Sequence, residues 1–191
     1  ILNERAGTGN PFFSVLLSIS NHPPYVIPPY FHPHSDVLEE QIVEYADWSI
    51  RQFMQAAEKQ PWFDNTIFVF LGDHGKMVGT PECEMPQSYN HIPLMIYGKD
   101  IKPGVYDGFG GQVDVSPTLL GLLNISYLQN NFGVNLLEEE RPCMFFTADN
   151  LIGARDSVNM FIYSPDSQQE FKYKLEEGKL HAATGTDEEA F

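Results

Sequence analysis

The chain has 191 residues, of which 42% are hydrophobic and 13% aromatic, a composition typical of a globular domain with its own core. Its formal net charge is −15 with only 11 scattered basic residues, which argues against nucleic acid as a partner. A phosphate or sulfate ester remains possible as a substrate if a metal ion supplies the positive charge.

The first half of the sequence predicts a strand, a loop, a helix and a second strand. Residues 12–20 (FFSVLLSIS) are mostly apolar and predict a buried strand, and the proline-rich residues 21–34 predict a loop. Apolar residues recur at helical spacing from Asp36 to Lys59, which predicts an amphipathic helix with Asp36 as its N-cap. Residues 66–71 predict the second buried strand.

The second half predicts short strands around one helix. That helix covers residues 114–123, with Ser116 as its N-cap and Pro117 at its first position. A hairpin is predicted over residues 171–182, turning at Glu177-Gly178. Three further apolar runs predict strands: residues 92–98, 143–149 and 159–165.

These patterns together predict an α/β fold. Strands that are apolar throughout and alternate with helices are typical of a mostly parallel sheet covered by helices on both faces, here with a small antiparallel element at the carboxyl end. In such sheets, ligands bind at the carboxyl ends of the strands. Polar side chains follow predicted strands at three places: Asn21-His22, Asp73-His74 and, more weakly, Asp149.

The pair Asp73-His74 is the strongest candidate for a functional site. It follows the apolar run IFVFL and lies between Gly72 and Gly75. Carboxylate and imidazole groups are common ligands of zinc and manganese, and a turn at a strand end lets two adjacent side chains converge on one ion. The alternative is a solvent-exposed turn after a core strand, and a metal needs about four ligands where this pair supplies two.

The other histidines are weaker candidates. His22 lies on a stiff loop after a predicted strand, where it either hydrogen-bonds a substrate oxyanion or has no role. His91 precedes another predicted strand and either reaches the site or bonds a local carbonyl group. His32 and His34 are predicted at the surface, and His181 is predicted to be either structural or exposed.

No residue of the sequence is recognisable as a nucleophile. The G-x-S-x-G motif is absent, and the segment GFGGQ lacks the Lys-Ser/Thr of a phosphate-binding loop. Cys83 and Cys143 either form one disulfide or remain free thiols, and neither has a histidine in a recognisable catalytic frame. Asp114 is better explained as a cap or turn residue than as a metal ligand.

Several motifs, in the same order, resemble one enzyme family. DNTIFVFLGDHG is similar to the carboxyl-side metal motif of the sulfatase and phosphoglycerol transferase branch of the alkaline phosphatase superfamily. FFSVLLSISNHPPY is similar to a segment of the lipoteichoic acid synthases, and HIPLMIYG, GGQVDVSPTLLGLLNI and FGVNLL resemble later blocks. The match covers residues 12–137. Residues 138–182 resemble the closing strands of the family, and residues 183–191 are predicted to be a frayed tail.

The resemblance implies an alkaline-phosphatase-like fold and a metal-dependent reaction. In this family a metal-bound nucleophile attacks phosphorus or sulfur, and a covalent intermediate then passes to water or to an acceptor hydroxyl. By resemblance, Asp73 and His74 bind one divalent ion (Mn, Zn, Mg or Ca), His22 contacts the anionic group of the substrate, and His91 lies near the site. The implied substrate is an anionic lipid or glycan ester, and the implied location of the parent enzyme is the extracytoplasmic face of a bacterial membrane.

The sequence departs from the family at its amino end. The family's nucleophile and one acidic metal ligand lie upstream of the matching segments, and neither Thr8 nor Thr66 is suitably placed. We therefore expect residues 1–191 to be the carboxyl-terminal part of a catalytic domain. This part is expected to be soluble and inactive by itself, with the upstream half of its own domain as its partner. The alternatives are a true sulfuric ester hydrolase and a non-catalytic binding domain that keeps the fold.

Overall fold

The computed structural model describes residues 1–183, which contain one long helix, several shorter helices and two sheets. The helices are α1 (Leu2–Ala6), α2 (Leu38–Ala57), α3 (Gln87–Asn90) and α4 (Gln112–Leu122), with a 3-10 turn at Phe63–Asn65. The strands are β1 (Phe68–Leu71), β2 (Leu94–Tyr97), β3 (Met144–Ala148), β4 (Leu151–Arg155), β5 (Asn159–Ser164), β6 (Gln169–Glu176) and β7 (Lys179–Ala182). The tail predicted at residues 183–191 lies, from residue 184 onward, outside the described residues.

The strands are arranged in a small and a larger sheet. β1 pairs with β2, and β3 to β7 form a five-stranded sheet in chain order in which all neighbours run antiparallel. The predicted antiparallel element at the carboxyl end is therefore confirmed, and it is larger than a single hairpin. Its last two strands are the predicted hairpin, which turns at Glu177 and Gly178 with positive φ angles of 49° and 78°.

One compact unit comprises Ile1–Val69 and Ile96–Ile101. Its helix α2 confirms the predicted amphipathic helix, but the N-cap is Val37 rather than Asp36. The reason is local, because the Ser35 hydroxyl accepts the backbone N–H of Val37 at 3.0 Å and the helix begins only after it. The Glu44 carboxylate accepts the backbone N–H groups of His34 and Ser35, which fixes the proline-rich loop against the helix.

Aromatic side chains join this loop to helix α2. Tyr30 and Phe31 pack against Tyr45 and Trp48, with ring centroids between 5.3 and 6.4 Å apart. Such tilted and edge-on pairs add to the stabilisation that comes from area burial alone. His32 and His34 lie exposed on the same loop, as predicted.

The strand predicted over residues 12–20 is wrong. Those residues adopt no regular structure, and the side chains of residues 12–19 are exposed, including Phe13 at 85%, Leu17 at 80% and Ile19 at 80%. A strand that is apolar on both faces needs neighbouring strands for its backbone and cover for both faces. In the part of the chain that the structure describes, nothing supplies either.

The second unit comprises Phe70–Met95 and the chain from Lys102 onward. Its core forms where the loop residues Cys83 and Met85 pack against Met160 and Ile162 of β5. Partly buried side chains of the sheet surround this cluster: Phe146, Ala148, Leu151, Phe171, Tyr173, Leu175 and Leu180.

Strand β4 is present although it was not predicted. Asp149 and Asn150 have positive φ angles of 49° and 62° and make the two-residue turn that joins β3 to β4. Asp149 is therefore a hairpin residue and not a polar group at the end of a parallel strand. Gly153 interrupts the apolar pattern. A Cβ atom at this position would lie only 2.6 Å from the ring of Phe146, so a larger residue does not fit there.

Helix α4 begins earlier than predicted. Gly111 is the N-cap, and the Asp114 carboxylate at the third helical position accepts the backbone N–H of Gly111 at 2.9 Å. This capping arrangement extends the helix back past Ser116, so Pro117 lies inside the helix instead of at its start. The interpretation of Asp114 as a cap residue is confirmed, and its buried carboxylate has a second role described below.

Candidate metal site

The loop after β1 holds the pair Asp73-His74 in the second unit. Its backbone is fixed against the segment before β2, because the N–H of Gly72 donates to Pro93 at 3.2 Å and the N–H of Gly75 donates to Tyr89 at 2.7 Å. A Cβ atom on Gly75 would lie only 2.1 Å from the carbonyl oxygen of Ser88. The second glycine of the motif is thus required by close backbone approach rather than by an unusual φ angle.

The imidazole of His74 is held in one orientation. Its Nδ1 lies 2.7 Å from the carbonyl oxygen of Gly75, and its ring stacks on Tyr89 with centroids 5.3 Å apart and planes 22° apart. A carbonyl can only accept, so Nδ1 carries the proton and donates it. In the neutral ring, Nε2 then presents a lone pair, which is the tautomer that a metal-binding histidine needs.

The two side chains converge, as the turn at the strand end predicts. Oδ2 of Asp73 lies 3.9 Å from Nε2 of His74, and Oδ1 accepts the backbone N–H of His74 at 2.9 Å. Two zinc bonds of about 2.1 Å at the tetrahedral angle place their ligand atoms roughly 3.4 Å apart, so Oδ2 and Nε2 lie about half an ångström beyond that spacing. Both side chains are open to solvent, at 78% and 56% exposure.

The ligand set on this loop is incomplete. Within residues 1–183, no group of three or more His, Cys, Asp or Glu side chains is arranged to hold a metal ion. Asp73 and His74 fit a divalent ion by donor type and lie close to the required spacing, but they supply about half of the ligands that such an ion takes. Their role as metal ligands remains a prediction.

A residue that the sequence did not reveal as functional contacts this loop. The side-chain amide of Gln112, in the first turn of α4, donates to the carbonyl oxygens of Gly72 at 3.1 Å and of Asp73 at 2.8 Å. The only sequence signal was its place in the segment GGQVDVSPTLL, one of the blocks that carry the family resemblance.

An ion pair anchors the helix that carries Gln112. Asp114 is fully buried and receives Nε and Nη2 of Arg141 at 2.8 and 2.6 Å, while the N–H of Val134 donates to it at 2.8 Å. Burial would raise the pKa of Asp114, but the guanidinium and the backbone N–H groups hold it below its ordinary value. The carboxylate is therefore ionised and ties α4 to residues 133–141.

The remaining candidates lie outside these contacts. The backbone N–H of His91 donates to Gln87 at 2.8 Å, and the exposed residue directly precedes the segment that packs on Gly72. His22 belongs to the first unit, where Nδ1 lies 2.8 Å from the carbonyl oxygen of Pro23. The roles of both in substrate binding remain predictions. His181 is exposed on β7, which is one of the two predicted alternatives, and Cys83 and Cys143 are both free thiols.

Comparison with known proteins identifies the family. The sequence model of the family described as Sulfatase matches residues 1–125, well over half of the chain. The chain belongs to the sulfatase family. Within that sulfatase family, it is 25% identical over 202 residues to lipoteichoic acid synthase 1 of Bacillus subtilis and 29% identical over 121 residues to the choline-sulfatase of Rhizobium meliloti. These alignments cover 89% and 56% of the chain respectively.

A solved structure supports the same placement. A protein in the alkaline phosphatase superfamily from Vibrio parahaemolyticus superposes on 98% of this sulfatase-family chain with a TM-score of 0.83 and 25% identity. The predicted alkaline-phosphatase-like fold is thereby confirmed. The chain spans 48% of that protein, 30% of the synthase and 22% of the choline-sulfatase. None of the helices described here is both long and apolar enough to cross a bilayer.

Proposed function

We propose that this chain contributes part of the active site of a metal-dependent enzyme that transfers or hydrolyses a phosphoglycerol, phosphodiester or sulfate ester group. The observation that carries the proposal is the convergence of Asp73 Oδ2 and His74 Nε2 at 3.9 Å on a loop fixed from several sides. Sulfatase-family membership supports it, because the pair occupies the motif through which the resemblance assigns metal ligands.

Each residue of the pair has a distinct chemical task in this proposal. A divalent ion bound here would activate the nucleophile and offset the charge of the transferred group. The negative charge of the Asp73 carboxylate would offset the charge of the bound cation, and His74 would supply a nitrogen ligand. The hydrogen bond from Nδ1 to Gly75 keeps the imidazole from turning away, and His22 and His91 are proposed to contact the anionic substrate.

Among the branches of the family, we favour a phosphoglycerol transferase similar to the lipoteichoic acid synthases. The synthase alignment extends over 89% of the chain, whereas the choline-sulfatase alignment covers 56%. The segment SNHPPY and the block GGQVDVSPTLL also favour this branch. Sulfuric ester hydrolysis is the second candidate. It is supported by the identity of 29% to the choline-sulfatase, which is higher but extends over a shorter alignment.

We further propose that the nucleophile and the missing metal ligands come from upstream sequence, the other half of the same catalytic domain. Two observations favour this arrangement: the described residues supply two ligands, and the apolar side chains of residues 12–19 are exposed. On this basis the chain by itself is inactive and binds metal weakly. The full-length enzyme is proposed to act at the extracytoplasmic face of a membrane on an anionic lipid or glycan ester.

An assay of the full-length protein separates the candidates. Metal-loaded protein would be offered phosphatidylglycerol and an aryl sulfate, with Asp73→Ala as the inactive variant and Asp107→Ala, an exposed acid outside the loop, as the matched control. We expect release of diacylglycerol that Asp73→Ala abolishes and Asp107→Ala retains. Turnover of the aryl sulfate alone would favour the sulfatase. Turnover of neither ester would favour the non-catalytic binding domain.

A further inference from the structure

We propose that Gln112 is a positioning residue that fixes the backbone of the Asp73 loop in the geometry required for metal binding. The inference rests on the proposed metal site and adds a residue to which neither the motif pattern nor the family resemblance gives a role. Its basis is the pair of hydrogen bonds from one side-chain amide to two consecutive carbonyl groups, those of Gly72 and Asp73.

The contact uses the full donor capacity of the glutamine side chain. A primary amide carries two N–H groups, and Nε2 of Gln112 directs them to carbonyl oxygens at 3.1 and 2.8 Å. Fixing two consecutive carbonyls restricts the backbone torsions between them, and the Asp73 Cα lies between those two groups. The direction in which the Asp73 side chain leaves the loop is therefore set in part by Gln112.

Apart from the local hydrogen bond from the N–H of His74 to Oδ1 of Asp73, the remaining ties of the loop do not hold Asp73 itself. The N–H of Gly72 bonds to Pro93 and the N–H of Gly75 bonds to Tyr89, so these backbone contacts hold residues on either side of the pair. Gln112 alone, among the contacts described for residues 1–183, connects the loop to helix α4 through the carbonyl group of Asp73 itself.

Helix α4 is a suitable support for such a role. Gln112 is its first residue, and Asp114, two positions on, is held by Arg141 and by the N–H groups of Gly111 and Val134. This buried network fixes the first turn of the helix. The Gln112 side chain itself is exposed, so its replacement leaves no cavity, and we expect the variants to fold.

Gln129 offers a matched control. Its side-chain amide also donates to two backbone carbonyl oxygens, those of Asn131 and Gly133, and it lies in the same unit but does not contact the Asp73 loop. A role limited to ordinary surface hydrogen bonding would give Gln112 and Gln129 the same phenotype. A positioning role separates them by metal affinity.

The test measures Mn²⁺ binding to metal-stripped full-length protein by calorimetry, with melting temperature recorded for the metal-free state. The variants are Gln112→Ala, Gln112→Met as an uncharged replacement of similar length without N–H donors, and Gln129→Ala. We expect both Gln112 variants to raise the Kd for Mn²⁺ roughly 10- to 100-fold, with melting temperatures close to that of Gln129→Ala and wild-type affinity in Gln129→Ala.

Two outcomes overturn the inference. One is a Kd within twofold of wild type in either Gln112 variant, and the other is an equal loss of affinity in Gln129→Ala. Asp73→Ala, measured in parallel, distinguishes a failure of the proposed metal site from a failure of the role of Gln112. If Asp73→Ala binds Mn²⁺ as wild type does, the proposed metal site fails, whereas a loss in Asp73→Ala without a loss in the Gln112 variants removes only the role of Gln112.

Discussion

The carboxylate of Asp114 and the guanidinium of Arg141 form a bidentate pair in which the acid is fully buried and the base is 15% exposed. The pair joins helix α4 to the segment that follows it, and it also completes the cap of that helix through Gly111. The helix in turn carries the amide that contacts the Asp73 loop. The stability of α4 is thus connected to the candidate metal site through one ion pair.

Replacing Arg141 by Met should destabilise the second unit strongly. The substitution leaves a buried carboxylate without its counter-charge, a change that typically costs about 3–5 kcal/mol. Urea unfolding of the full-length protein, monitored by far-ultraviolet circular dichroism, measures the free energy of unfolding. Arg51→Met is the control, since the exposed Arg51–Asp47 pair on α2 should contribute about 0–1 kcal/mol. Equal losses in the two variants would contradict the account of the buried pair.

The pH dependence of stability should carry the signature of Asp114. Its pKa is lower in the folded protein than in the unfolded chain, so its contribution is present above the ordinary pKa and is lost as pH falls through the folded value. Below about pH 4, the urea concentration at the unfolding midpoint should therefore decrease more steeply with falling pH in the wild type than in Asp114→Asn. Parallel curves for the two proteins between pH 6 and pH 3 would show that Asp114 does not titrate as described.

Gly75→Ala should disturb the metal loop. The new Cβ would lie 2.1 Å from the carbonyl oxygen of Ser88, and relieving that overlap should cost roughly 1–3 kcal/mol and move His74. Gly104 has open space around it, so Gly104→Ala is the control, with an expected change within about 0.5 kcal/mol. Chemical denaturation and Mn²⁺ titration of both variants are the measurements, and a Gly75→Ala protein with wild-type values for both would refute the steric argument.

The two free cysteines should differ in reactivity. Burial raises the pKa of the Cys83 thiol to about 11, and its sulfur donates to the carbonyl oxygen of Met85 in the core. At pH 8 only about one Cys83 in a thousand is then a thiolate, and the half-buried Cys143 should react first with iodoacetamide. Peptide mass spectrometry against time measures both sites, with guanidinium-unfolded protein as the reference. Faster labelling of Cys83 would contradict the structure.

The sequence predicted those elements of the fold whose signals are local. Helix α2 has five turns of helical periodicity, and the hairpin at Glu177-Gly178 has a turn residue between two alternating strands. The strand predicted over residues 12–20 is absent because hydrophobicity indicates that a segment favours burial, but not whether the residues that would bury it are present. Strand β4 was not predicted because Gly153 interrupts its apolar pattern. The ring of Phe146 fills the space beside that glycine, and this contact exists only in the folded sheet.

The candidate site likewise has one part that local sequence signals predict and one part that depends on tertiary contacts. Asp73 and His74 are neighbours in the chain, so a strand end and a glycine turn suffice to predict their convergence. Gln112 is 39 residues from Asp73, and a glutamine carries no metal-binding signal of its own. Its part in the loop is a tertiary contact, set by where α4 is anchored, and it became visible only with the structure.

Diffraction from crystals of the full-length protein soaked in Mn²⁺, recorded at the manganese absorption edge, would show whether Asp73 and His74 bind the metal. We expect an anomalous peak within bonding distance of Oδ2 of Asp73 and Nε2 of His74, with further ligands from upstream sequence. We also expect that peak to be lost in Asp73→Ala crystals of unchanged fold. A saturated manganese site elsewhere in the molecule, with neither Asp73 nor His74 among its ligands, would refute the proposed metal site.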